Sequence, residues 1–355
     1  MDNSKISVES LLYSNYIKYD KLSELVETNF QGSTANSVNI FIDVYSLIKP
    51  LYRLDLFNRE HGLLMSSSII NLCAHLRQFF RNRYRVETMI YIIQSNNVPE
   101  YNKAIWLGYN QNHEKIINRD AGVNELIQQN LNAVETLSPY LPDIFYLSTD
   151  FESGVLIYDT ICYNESQGNT NPNIIISKDD YLLQLVSLCN NLIVFRPKKY
   201  KSEDISYAVN KSNLLEEWFK SKEVAIPDYL GDLDPGLCSL LMSLSRCPER
   251  SIKSFFNLPK ASEIIYSGVS RHRILNGYNS NTQNVWNSLY CKEFDKYSYD
   301  LFDRRFKVVD ILSQYLVYMS MNHAKNKFIN LVSPDTVKEI NNQYYGKYPL
   351  DLNRL

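Results

Sequence analysis

The chain has 355 residues, with 37 Lys and Arg against 39 Asp and Glu and a formal net charge of -2. Bulk attraction to nucleic acid or to an anionic membrane is therefore excluded as a driving force, and any such binding rests on local patches. Six cysteines stand far apart without a CxxC pair, the start MDNSKISVES is too polar for a secretory signal, and no apolar run nears the roughly 18 residues of a membrane span. These features predict a cytoplasmic chain of reduced thiols, large enough for one big domain or two unequal ones.

Residues 1–37 read as an N-terminal helical extension, SVESLLYSNYIKYDKLSELVETNF, followed by the linker-like QGSTANS. VNIFIDVYSLI, from Val38, is an apolar run interrupted by Asp43, the pattern of a central parallel strand turning into its crossover. SSSIINLCAHLRQFFRNR predicts a long helix over 66–83, with serines at its start as caps and a basic end. VETMIYIIQSNN, 86–97, is the second strand, and an Asn- and Gln-rich stretch with weaker helical patterns follows to about residue 142.

A short strand is predicted over 144–147, a helix from Glu152 through Cys162, and then IIIS running into the helix of DDYLLQLVS, which ends near Cys189. NLIVFRP supplies a further strand. Strands alternating with helices over 38–200 predict an α/β domain around a mostly parallel sheet. Residues 201–335 read as a helical region and 336–355 as a Tyr- and Asn-rich tail, INNQYYGKYPLDLNRL, suited to docking a partner protein.

In an open α/β sheet the ligand site lies beyond the carboxyl ends of the strands. Acids stand there: Asp43 after the first strand, Asp150 and Glu152 before the intervening helix, and Asp179 and Asp180 after the strand IIIS. Converging carboxylates suit a hard divalent cation such as Mg²⁺. All but Asp43 equally suit helix N-termini, where acids cap free N–H groups and meet the helix dipole. Asp43 is different, because an acid enclosed by VNIFI and VYSLI is costly to bury without a partner.

The order NIFIDVYSLIKPLYR, TMIYIIQSNN, FESGVLIYD, IIISKDDYLLQLV, LCSLLMSLS and SIKSFFNLPKASEII resembles the flap endonuclease and bacteriophage 5′ nuclease family, within the wider PIN-like fold. The resemblance spans about residues 38–268, and SKDDYLLQLV, beside the family's S-x-D-x-D-L-x-Q-L, is its most specific piece. It implies a PIN-like sheet followed by a helical hairpin that grips DNA backbone. It also implies cation-binding roles for Asp43, Glu152 and Asp179, with Asp180 as a further metal ligand.

Departures from the family pattern are extensive. Its second-strand Asp is replaced within Gln94, Ser95 and Asn96, and the paired acids of its E-A-D-D motif become Gly154 and Val155. Tyr181 stands at the second Asp of the strand-to-helix motif, and Leu244 at the Asp of L-M-G-D. Two-metal phosphodiester hydrolysis holds its ions roughly 3.5–4 Å apart within a ring of carboxylates. Asp43, Glu152 and Asp179 with Asp180 or Asp150 are expected to hold one hydrated Mg²⁺ or Mn²⁺ at best, or none.

In the hairpin, SFFNLPKASEII has Asn257 and Leu258 where the family has glycines that let phosphate approach the backbone. Basic clusters at 196–201, 77–85 and 271–273 are either phosphate contacts or solvated charge. The candidates for nucleic-acid contact are Lys198, Lys199, Lys201, Lys253 and Lys260. Tyrosine is abundant, 27 residues against 15 Phe and 3 Trp, as at protein interfaces.

The expected function is thus a catalytically impaired, 5′ nuclease-like subunit, binding nucleic acid, DNA foremost, or assembling a phage-type replication, repair or transcription complex. The alternative is an active, metal-dependent, structure-specific nuclease with a reduced ligand set.

Overall fold

The structure is a computed structural model. It describes residues 37–44, 46, 59–95, 102, 131–132, 134–177, 179–196 and 207–230, together with positions 238, 241, 253, 256, 257, 262, 311, 314, 315 and 318. In chain order the elements are β1 (Ser37–Asp43), α1 (Arg59–Tyr84), β2 (Glu87–Ser95), β3 (Ile144–Thr149) and α2 (Ser153–Ser166). They continue with β4 (Asn173–Ile176), α3 (Gln184–Leu188), β5 (Leu192–Arg196), β6 (Tyr207–Val209) and α4 (Leu214–Ser221). A 3₁₀ turn, Asp180–Leu183, runs directly into α3.

The strands form one sheet in the order β3-β2-β1-β4-β5-β6, parallel throughout except for the antiparallel pairing of β6 with β5. The central strands are continuous apolar runs because both of their faces are covered, as parallel sheets require. Alternate side chains of β1 face opposite layers. Phe41 stacks on Tyr91 with ring centroids 4.8 Å apart, and Tyr91 stacks on Phe145 at 5.1 Å. This aromatic row joins the core formed with Leu156, Ile157 and Ile161 of α2 and Leu185 and Val186 of α3. The Tyr91 hydroxyl accepts a bond from Asn164 Nδ2 at 3.1 Å, which satisfies it where burial would otherwise make it costly.

Several predicted boundaries are corrected. The first long helix begins at Arg59 rather than at Ser66, so the serines at 66–68 lie inside it and do not cap it. β3 extends to Thr149, and α2 continues to Ser166. The sheet does not end at residue 200. β6 adds an antiparallel edge within the stretch expected to be helical, and Val209 is fully buried there. Three aromatic side chains pack together next to it: Trp218 and Phe219 of α4 meet Phe256 edge-on. The N-terminal extension and the C-terminal tail lie outside the described residues.

Candidate functional site

Connections from β1 run outward on one side to β2 and β3, and on the other to β4 and β5. The strand order therefore reverses between β1 and β4, and at such a switch point the flanking loops part and leave a crevice beyond the carboxyl ends. Asp43 ends β1 at this place, and Ser177 and Asp179 follow β4.

Asp43 is 2% exposed. Its Oδ2 accepts a bond from Ser177 Oγ at 2.8 Å, and Ser177 Oγ lies 3.0 Å from Ser46 Oγ. Ser46 Oγ donates to the Asp43 carbonyl at 3.1 Å. Asp43 Oδ1 is buried without a hydrogen-bond partner. Burial above all, and then the charge of Asp179, push the Asp43 carboxyl up to about 6, against the lowering effect of the two serines.

Asp179 is half-buried, and its backbone N–H donates to Ser177 Oγ while its Oδ1 accepts from Tyr181 N, both at 3.0 Å. It thus caps the 3₁₀ turn and also faces Asp43. Glu152 sits at the N-cap position of α2 but makes no side-chain cap bond. Instead, its Oε1 accepts from the buried amide of Asn102 at 3.3 Å. No sequence pattern marks Asn102, because its partner lies 50 residues away.

Asp180 is neither solvent-facing nor a cap. Its carboxylate binds Arg196 Nη1, at the end of β5, and accepts from Lys222 Nζ at 3.1 Å. Burial by itself would raise Asp180, but these two cations outweigh it and hold the carboxyl at about 2. Arg196 is consequently an internal ion-pair partner rather than a phosphate contact. Within the 77–85 cluster Arg77 is turned inward, buried and donating to the Pro142 carbonyl, while Arg81 is exposed and pairs with Glu87 at 2.8 Å.

Beside Asp179 the crevice is filled by aromatic and apolar groups. Tyr181 is 3% exposed, and its hydroxyl accepts from Gln314 Nε2 at 3.3 Å. A Cβ on Gly154 would lie 2.7 Å from Tyr181 Cε1, 2.8 Å from Ile311 Cδ1 and 3.0 Å from Leu182 Cδ2. Glycine at 154 and tyrosine at 181 are therefore mutually adapted. Val155 is fully buried in a cluster with Phe151 and Tyr318. The contributors from 311–318 were not expected from sequence, although DILSQYLVYMS carries the i, i+3, i+4, i+7 spacing of a buried helical face.

Asp43 and Asp179 thus share Ser177 as a hydrogen-bond partner at the carboxyl end of the sheet. Among the described residues, no three His, Cys, Asp or Glu side chains come together in a way that could hold a metal ion. These residues do not fit a two-cation centre. Of the lysines expected to touch nucleic acid, Lys253 pairs with Glu223 at 3.1 Å, while Lys198, Lys199, Lys201 and Lys260 lie outside the described residues, as does Leu244. No described helix is long and apolar enough to cross a membrane.

No known protein-family profile matches the chain, and no curated protein matches it. Among solved structures, the T5 D15 protein co-crystallized with metal ions superposes at a TM-score of 0.46 and 12% identity, over 87% of this chain and 98% of that one. At that level the likeness does not assign the chain to a family.

Proposed function

We infer that this chain is a nuclease-like protein of the flap endonuclease and 5′ nuclease type that has given up phosphodiester hydrolysis. It serves as a nucleic-acid-binding or assembly subunit of a phage-type replication, repair or transcription complex. The reading rests on the ordered motifs, on the switch-point location of Asp43 and Asp179, and on one further observation. Tyr181, Gly154 and Ile311 are packed against one another where the motif pattern has two of its carboxylates, an arrangement that supports the loss of a second cation.

Lys198, Lys199 and Lys201 follow β5 in the sequence, and β5 runs parallel to β4 toward the carboxyl edge where the acids stand. In this reading they bind backbone phosphate, so affinity falls with salt roughly in proportion to the number of phosphates contacted. Asp43 Oδ1, buried and unpartnered, supports a second reading in which Asp43 and Asp179 keep one hydrated Mg²⁺ or Mn²⁺ and residual activity.

A single assay separates the two. Purified protein is incubated with flap and nicked duplex DNA and either cation, with Asp179→Ala in parallel. Binding without cleavage is expected. Cleavage that disappears in the Asp179→Ala protein would establish the active alternative instead.

A further inference from the structure

We propose that the helical face bearing Ile311, Gln314, Tyr315 and Tyr318 is an internal plug: the chain's own occupant of the apolar half of the crevice, latched by two tyrosine hydroxyls on Asp159. The four residues are helical positions at i, i+3, i+4 and i+7, and so lie on one face. Each makes a specific contact. Ile311 N–H donates to Gln184 Oε1 at 3.3 Å, and the same amide's Nε2 donates to the Tyr181 carbonyl at 3.3 Å. Gln314 reaches the Tyr181 hydroxyl. Tyr315 OH donates to Asp159 Oδ1 at 3.3 Å, and Tyr318 OH donates to Asp159 Oδ2 at 3.2 Å.

The rings reinforce the latch. Tyr315 meets Tyr158 edge-on at 4.9 Å and Tyr318 meets Phe151 at 5.6 Å. One carboxylate on α2 therefore holds two points of a segment that is more than 150 positions distant in the chain. That segment touches both walls of the crevice: Phe151 and Gly154 at the start of α2, and Tyr181 and Gln184 after β4. With the plug seated, this face covers Phe151, Gly154, Tyr181 and Gln184; with it released, the start of α2 and the 3₁₀ turn behind Asp179 lose that cover together. The plug rests on the packing alone and holds whether or not the chain binds nucleic acid.

Hydrogen exchange read by mass spectrometry on the full chain tests this, comparing wild type with the double variant Tyr315→Phe, Tyr318→Phe and with Gly154→Ala. The double variant removes only the two hydroxyls. Gly154→Ala forces Ile311 and Tyr181 apart without touching Asp159. Both are expected to speed exchange about tenfold or more over 153–157 and 181–185 while the strands β1, β4 and β5 keep wild-type protection. Unchanged exchange in those two segments overturns the proposal. So does equal loss of protection across the whole sheet, since the segment is then ordinary core. Titration of the same proteins with a flap DNA reports separately on the proposed function: absence of DNA binding removes that reading and leaves the exchange result to decide the plug.

Discussion

Between about pH 4 and pH 6 native Asp43 keeps a proton that the unfolded chain has released, because its carboxyl is raised from 3.8 to about 6. Its contribution is therefore favourable below the unfolded value and is lost as pH rises through the native one, by on the order of 2–3 kcal/mol. Asp43→Asn should remove that loss, so urea unfolding will show the variant gaining on wild type from about pH 4 to about pH 6, with the difference level above that; parallel profiles across that interval would contradict the assignment. Asp180 has the opposite sign. Its carboxyl is held at about 2, so its stabilisation is present above about pH 4 and disappears as pH falls through about 2. Arg196→Met leaves the half-buried acid with Lys222 alone and is expected to cost about 2 kcal/mol at neutral pH and little near pH 2, measured by the same unfolding experiment. An acid at a strand end was visible in sequence at both positions. Which of them would face another acid and which would face two cations was not, because Arg196 and Lys222 reach Asp180 only through the pairing of β4 with β5 and the return of α4.

At the scale of elements, the parallel strands were legible because a strand covered on both faces must be apolar along its whole length. β6 escaped notice since three residues carry too little pattern to be distinguished from a loop, and its strand character comes from pairing with β5. The start of α1 was misplaced because the serines at 66–68 are the residue type of a helix start, but so is Asn58 in RLDLFNREHGLLM, directly before Arg59, and the sequence alone does not choose between them. Helix α4 is anchored by Leu214, Trp218 and Phe219 on its buried side, with Phe256 packed on the last two. Trp218→Ala is expected to lower stability by about 3–5 kcal/mol through loss of burial and the cavity left behind, as read from the midpoint of chemical unfolding. Glu216→Ala, at an exposed position of that helix, serves as the contrast and should change stability by no more than about 0.5 kcal/mol.

For the whole molecule, the prediction is binding without turnover. Affinity for a DNA flap should fall steeply between about 50 and 200 mM salt, and Lys198→Ala with Lys199→Ala should flatten the slope by about two contacts, measured by fluorescence anisotropy. An unchanged slope would move the contact elsewhere on the surface. By itself the sequence determined the alternation of strands and helices and the placing of acids at the carboxyl ends, because both are matters of residue type at a local position. The tertiary structure decided what surrounds those acids. It set Tyr181 against Gly154, brought Ile311, Gln314, Tyr315 and Tyr318 across the chain to the same crevice, and left one buried oxygen of Asp43 without a partner. Contacts between residues more than a hundred positions apart depend on how layers pack, and no local periodicity encodes them.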